Sequence, residues 1–130
     1  MRFVVALLLG LFIGFVVALS LANALQRRHA WLRGIMHVLE HDLGEARELA
    51  RGPQCALPQL QQDAARMRLV ADQLRPALLP TGTQDRVLAQ YIDQFQRELA
   101  QWDPGAACPA QAEALTRISH ACDACHRDYR

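Results

Sequence analysis

From Phe3 to Leu19 the chain reads FVVALLLGLFIGFVVAL, without one charged residue. A run of this kind is a membrane helix or an export signal, and either use takes it out of the fold of the remaining chain. The apolar character continues, with two polar breaks, to Leu25. As a secretory signal the segment has a basic start at Arg2 and an Ala-x-Ala site at Ala22-Asn23-Ala24. As an anchor, the about 22 residues from Phe3 to Ala24 cross a bilayer core of about 30 Å at about 1.5 Å per residue. The run is longer than a usual signal core, and Arg27 and Arg28 just past the cut disfavour processing. The expectation is therefore a signal anchor over 1–24, with cleavage after Ala24 as the alternative, and an exported domain over 25–130. That domain is expected on the periplasmic side of a bacterial inner membrane, anchored by residues 3–24, or soluble in the periplasm if the leader is cut.

Export decides how the cysteines are read, because a stray thiol does not stay free in an oxidising compartment. There are four, Cys55, Cys108, Cys122 and Cys125. They fall into an isolated pair and a C-x-x-C. The charges decide little. The 14 basic residues, all arginine, stand against 13 acidic ones, so nothing in the balance argues for a nucleic acid partner.

No strand pattern is present, and apolar residues recur at spacings of three and four. One seam runs Leu32, Met36, Leu39, Leu43, Ala46, Ala50, and a second Leu57, Leu60, Ala64, Met67, Ala71, Leu74, Leu78. A third runs Leu88, Tyr91, Phe95, Leu99, Trp102, and a fourth Leu115, Ile118, Cys122, Cys125, Tyr129. Each is a narrow stripe of the kind that packs helix against helix. Gly52 and Pro53 end the first seam, and Pro76 kinks the second or ends it near Arg75. Thr81 or Thr83 is placed to cap the third, and Pro109 suits the first turn of the fourth. Four helices of about 20 residues with short connections predict an all-α fold, an antiparallel up-down-up-down four-helix bundle after the N-terminal apolar helix. The first and third connections then lie at one end of the bundle. Cys55 is in the first and Cys108 in the third, which predicts a disulfide between them.

The last nine residues, CDACHRDYR, carry the chemistry. A c-type haem is fixed by thioether bonds from two cysteines, and two intervening residues put both sulfurs on one edge of a helix. The histidine after the second cysteine reaches the iron from the same side. Cys122, Cys125 and His126 have this form. A zinc site using Cys122, Cys125, His126 and His120 is a weaker reading, because no second cysteine or histidine pair stands at finger spacing. A redox dithiol lacks its strand–helix setting.

The chain resembles the class II cytochromes c, the family of cytochrome c-prime and its low-spin relatives. The resemblance rests on a C-terminal C-x-x-C-H-x-x-[YF]-R ending, met by Cys122, Cys125, His126, Tyr129 and Arg130, and on the four-helix plan with the haem site at the chain's end. It implies one covalent haem c and a residue on the first helix at the other axial side of the iron, with a glycine eight positions on. Met36 and Gly44 match that spacing. The family's arginine four residues earlier falls on Leu32, and Arg33 or Arg28 stands in for it. By family position, Tyr129 and Arg130 fall near the proximal side of the haem. The resemblance also implies a frequent homodimer.

A methionine opposite His126 makes the iron six-coordinate and low-spin and suits it to electron transfer. Its bland reading is core filler. His29, on the same seam, would give a bis-histidine site instead. His37, His41 and His120 read as surface residues, and Trp31 and Trp102 as packing or pocket lining. The expected function is electron transfer to redox partners of a respiratory or photosynthetic chain, with Met36 and His126 on the iron. The alternatives are a five-coordinate protein of the same fold that binds nitric oxide or carbon monoxide, and a structural or assembly subunit with a vestigial haem. No catalytic constellation is present, so an enzyme is not expected.

Overall fold

The computed structural model describes residues 2–52 and 55–129, and within them the side chains of all but residues 6, 28 and 29. Pro53 and Arg130, and the side chains of Arg28 and His29, thus lie outside the described residues. The rest is all-helical: α1 (Arg2–Arg51), α2 (Leu57–Ala71), α3 (Leu74–Leu78), α4 (Arg86–Gln101) and α5 (Cys108–Asp128), with no strand among the described residues. The chain divides into two compact units, Met1–Arg33 and Gly34–Arg130.

In the first unit the apolar side chains, such as Phe3, Leu11, Phe12 and Leu21, are exposed. Its one hydroxyl is satisfied within the helix, Ser20 Oγ donating to the Val16 carbonyl at 2.8 Å, which suits an environment without water. α1 is the helix, among the described residues, long and apolar enough to cross a membrane.

In the second unit the helices share one core. It holds Leu39, Leu43 and Ala46 of α1, Leu60, Ala64 and Met67 of α2, Leu88, Phe95 and Leu99 of α4, and Leu115 and Ile118 of α5. The three–four periodicity found most of these positions. It missed Ile35 and Ile92, which are buried beside the seams, and it wrongly included Leu57, which is exposed at the first turn of α2.

The helix ends differ from expectation in two places. The break in the second seam is not at Arg75 but at Asp72 and Gln73, one turn earlier. A proline ring clashes with the carbonyl four residues back, and four residues before Pro76 is Asp72. The cap of α4 is neither Thr81 nor Thr83 but Asp85, whose carboxylate accepts from the Leu88 amide at 2.9 Å. A carboxylate one residue before the helix reaches that free amide directly. Gly52 follows the last residue of α1, and Pro109 sits in the first turn of α5, both as predicted. α2 and α4 run 15 and 16 residues, shorter than the expected length.

Neighbouring helices satisfy one another's open ends. Arg68 of α2 donates to the Leu99 and Trp102 carbonyls at the end of α4, at 3.3 and 2.6 Å. Gln96 of α4 returns a bond to the Ala71 carbonyl at the end of α2, at 3.0 Å. These carbonyls have no intrahelical donor, so the two side chains answer an obligatory need. Arg75 pairs with Asp93 across α3 and α4.

Cys55 and Cys108 stand at disulfide distance, with Cα atoms 5.7 Å apart, inside the window that a bridge requires. Next to Cys108, at the start of α5, Gln111 is fully buried and fully used. Its amide nitrogen donates to the Asp103 and Ala106 carbonyls, each at 3.0 Å, and its oxygen accepts from the Trp102 indole.

Candidate functional site

A cavity of about 500 Å³ opens in the second unit, in the size range of small-molecule and cofactor sites. α1 lines it with Met36, Leu39, Glu40, Leu43, Gly44 and Arg47. These positions follow the spacing of one helical face. Leu74 and Leu78 close one side, and Tyr91, Ile92 and Phe95 of α4 another. α5 contributes Cys122, Asp123, Cys125 and His126. The cavity thus gathers residues distant in sequence: the C-x-x-C-H of the chain's end and Met36 with Gly44 of α1.

Gly44 is part of what makes the space. A Cβ built there meets nothing within 4 Å, so any side chain would enter open volume beside the helix. Met36 is half-buried and packs against the core cluster. Cys122 and Cys125 are half-buried and unpaired. Burial, and then the charge of Asp123, pushes the Cys122 thiol up to about 11, opposed in part by the Arg47 guanidinium. Burial also raises Cys125. A redox dithiol needs a lowered thiol pKa in an electropositive setting, so these thiols are poorly suited to that chemistry. Cys122, Cys125 and His126 are the groups that could hold a cofactor, by two covalent links and one ligand bond.

His126 is exposed, at the last turn of α5. Tyr129 follows that turn and donates its hydroxyl to both oxygens of Asp85, at 2.9 Å each. Tyr91, on the cavity wall, donates to Asp128 at 2.6 Å. The Asp85 carboxyl is held below its usual range, first by the Leu88 amide and then by the Tyr129 hydroxyl.

Arg33 is not among the residues that line the cavity. It is exposed and belongs to the first unit. The arginine on the cavity wall is Arg47, which the sequence reading missed. Its signal was available: Arg47 lies eleven positions after Met36, three helical turns on and on the same face. His37, His41 and His120 are exposed, as read. Trp102 is buried in packing and Trp31 is exposed. The four proposed zinc ligands do not gather, and among the described residues the one set of possible metal ligands is His41, Asp42 and Glu45. That set already holds a cation. Arg66 Nη2 lies 3.2 Å from Asp42 and 3.6 Å from Glu45, and also pairs with the buried Asp63. The cluster is an ion-pair network joining α1 to α2. Burial, and then the charge of Glu45, raises the Asp63 carboxyl.

Comparison with protein-family models, with characterised proteins and with solved structures finds none that matches this chain.

Proposed function

We propose that the chain is an electron-transfer protein, a monohaem cytochrome that resembles the class II cytochromes c, built on an up-down-up-down four-helix bundle. It is held at the periplasmic face of a bacterial membrane by its N-terminal helix. One observation carries the reading: Cys122, Cys125 and His126 line the same cavity as Met36 and Gly44. C-x-x-C-H is the sequence form of covalent haem attachment, and here it lines a mainly apolar cavity with a methionine and an open glycine on α1.

The residues present fit such a group. Cys122 and Cys125 would carry its two thioether links, and His126 would supply one iron ligand. Met36 would supply the other, and Gly44 leaves room for the macrocycle because no side chain projects there. Leu39, Leu43, Ile92 and Phe95 give the site an apolar wall, which with a thioether ligand favours a raised potential. Arg47 offers a positive charge for carboxylates carried by the group. When bound, a haem supplies a one-electron iron couple. The protein's part is to hold that couple in fixed ligation, so that little rearranges when an electron arrives or leaves. Redox proteins meeting the periplasmic face are the partners this implies, and the family resemblance adds a homodimer as the assembly to test for.

The test is an absorption spectrum, oxidised and reduced, of the full chain made in a host that matures c-type haem. A sharp low-spin reduced spectrum unchanged by carbon monoxide is expected, and Met36→Ala should turn the iron high-spin. A chain without covalent haem sinks the proposal. A high-spin spectrum that shifts with carbon monoxide replaces the carrier by a gas-binding protein and makes Met36 a packing residue.

A further inference from the structure

His126 raises a mechanical problem. It lies in the final turn of α5, two residues before the helix ends at Asp128, and it is exposed. Helix ends are the first parts of a helix to open, and burial does not hold this side chain in place. A ligand bond to a metal needs the ring held in position by something else.

The terminus is tied down at two points. Tyr91, in the second turn of α4, donates its hydroxyl to Asp128 at 2.6 Å. Tyr129 donates to Asp85 at 2.9 Å to each oxygen. The two tyrosine rings meet edge to face, with centroids 6.1 Å apart and planes at 75°. Asp85 is itself fixed, because the same carboxylate caps α4 at the Leu88 amide. Both bonds join a hydroxyl to a carboxylate, the stronger charge-assisted kind. Both ties lie just past His126: one holds the residue two places after it, the other the residue three places after it.

Resting on the haem reading above, we infer that Tyr91 and Tyr129, through Asp128 and Asp85, form a latch between α4 and the end of α5 that positions His126 for the iron. Tyr91 and Tyr129 are positioning residues. They hold the last turn closed, whereas the covalent attachment rests on the Cys122 and Cys125 sulfurs, which take part in neither bond. The start of α4 is thereby part of the site, although Asp85 does not line the cavity.

The experiment uses the full-length chain carrying Tyr91→Phe and Tyr129→Phe together, beside the unchanged chain, both from a host that matures c-type haem. The phenylalanines keep both rings and remove only the hydroxyls. Three quantities are read: protein mass for covalent haem, amide hydrogen exchange at residues 125–128, and the ferric electron paramagnetic resonance signal, which reports the orientation of the axial ligands. Haem is expected on both chains. In the variant, exchange should quicken by about tenfold, the loss of about one to two net hydrogen bonds, and the single resonance signal should spread or split.

Unchanged exchange overturns the latch. Faster exchange with an unchanged resonance signal overturns the positioning role and leaves a simple clasp at a helix end. Haem missing from the unchanged chain overturns the haem reading, and the mass alone identifies that outcome. Should the double variant misfold, each single Tyr→Phe chain gives the same test at smaller amplitude.

Discussion

At one end of the α4–α5 pair, Trp102 and Gln111 are buried, and every polar atom of the glutamine has a partner. The Cys55–Cys108 pair stands beside them. At the other end, Tyr91, Tyr129, Asp85 and Asp128 hold the helices together through half-exposed and exposed groups, next to a cavity of about 500 Å³. Both ends join the same two helices. The first does so by excluding water and filling space. The second leaves space empty, so its cohesion comes from a few directed hydrogen bonds. A small helical domain can keep a large cavity at one end when the other end carries the stability.

That contrast can be broken at its strong end first. Trp102→Ala removes the largest fully buried side chain and leaves Gln111 short of a partner. It should cost about 5 kcal/mol of stability in denaturant unfolding of the detergent-solubilised chain. Met36→Ala, half-buried beside a cavity, should cost only about 1 kcal/mol, since little additional void is created. Equal losses would mean that the two ends are not differently built.

Removing the bridge by Cys55→Ala with Cys108→Ala is expected to cost about 4 kcal/mol in the chain-entropy model, for a separation of 53 residues. Reductant should lower the stability of the natural chain to match and leave the double variant unaffected. A reductant effect that persists in the variant would point to other thiols.

Gly44 sharpens the comparison from the open end. In the haem-free chain Gly44→Ala should stabilise by about 1 kcal/mol, because alanine is the better helix former and its methyl meets nothing. Gly44→Leu should keep the fold yet lower the yield of covalent haem, since its side chain occupies the cavity. Normal haem incorporation by the leucine variant would separate the cavity from the function. The smallest effect is a matter of rate. Cys122 in the folded, haem-free chain should alkylate about tenfold more slowly near pH 8 than in the unfolded chain. The thiolate is the reacting form, and with the thiol at about 11 it becomes abundant only as pH rises through that value.

The sequence made most of the core legible, because helical burial repeats every three to four residues and Leu60, Met67, Phe95, Leu99 and Leu115 keep that rhythm. It did not reveal Ile35 and Ile92, because a helix inside a bundle buries a wider stripe than one seam. The break before Pro76 was misplaced because a proline acts on the turn preceding it. Asp85 was passed over for the threonines because the cap depends on where the helix begins, which a loop of several candidate residues leaves open. At the site, the C-terminal motif was plain from spacing alone. Arg47, Tyr91 and the Tyr129–Asp85 bond were not, because they depend on which helix faces which. The arginine expected near position 32 was sought by analogy, whereas the cavity takes one from about four turns further along α1.

The Cys55–Cys108 pair also bears on errors of maturation. Four cysteines admit three ways of forming two bridges. Once Cys55 and Cys108 are joined, two of the three are closed off, and the thiols left over are neighbours on one helical turn. The bridge therefore acts as a sorting device. It removes the two sulfurs that could have captured Cys122 or Cys125, and leaves the C-terminal pair with no distant thiol of its own chain to react with.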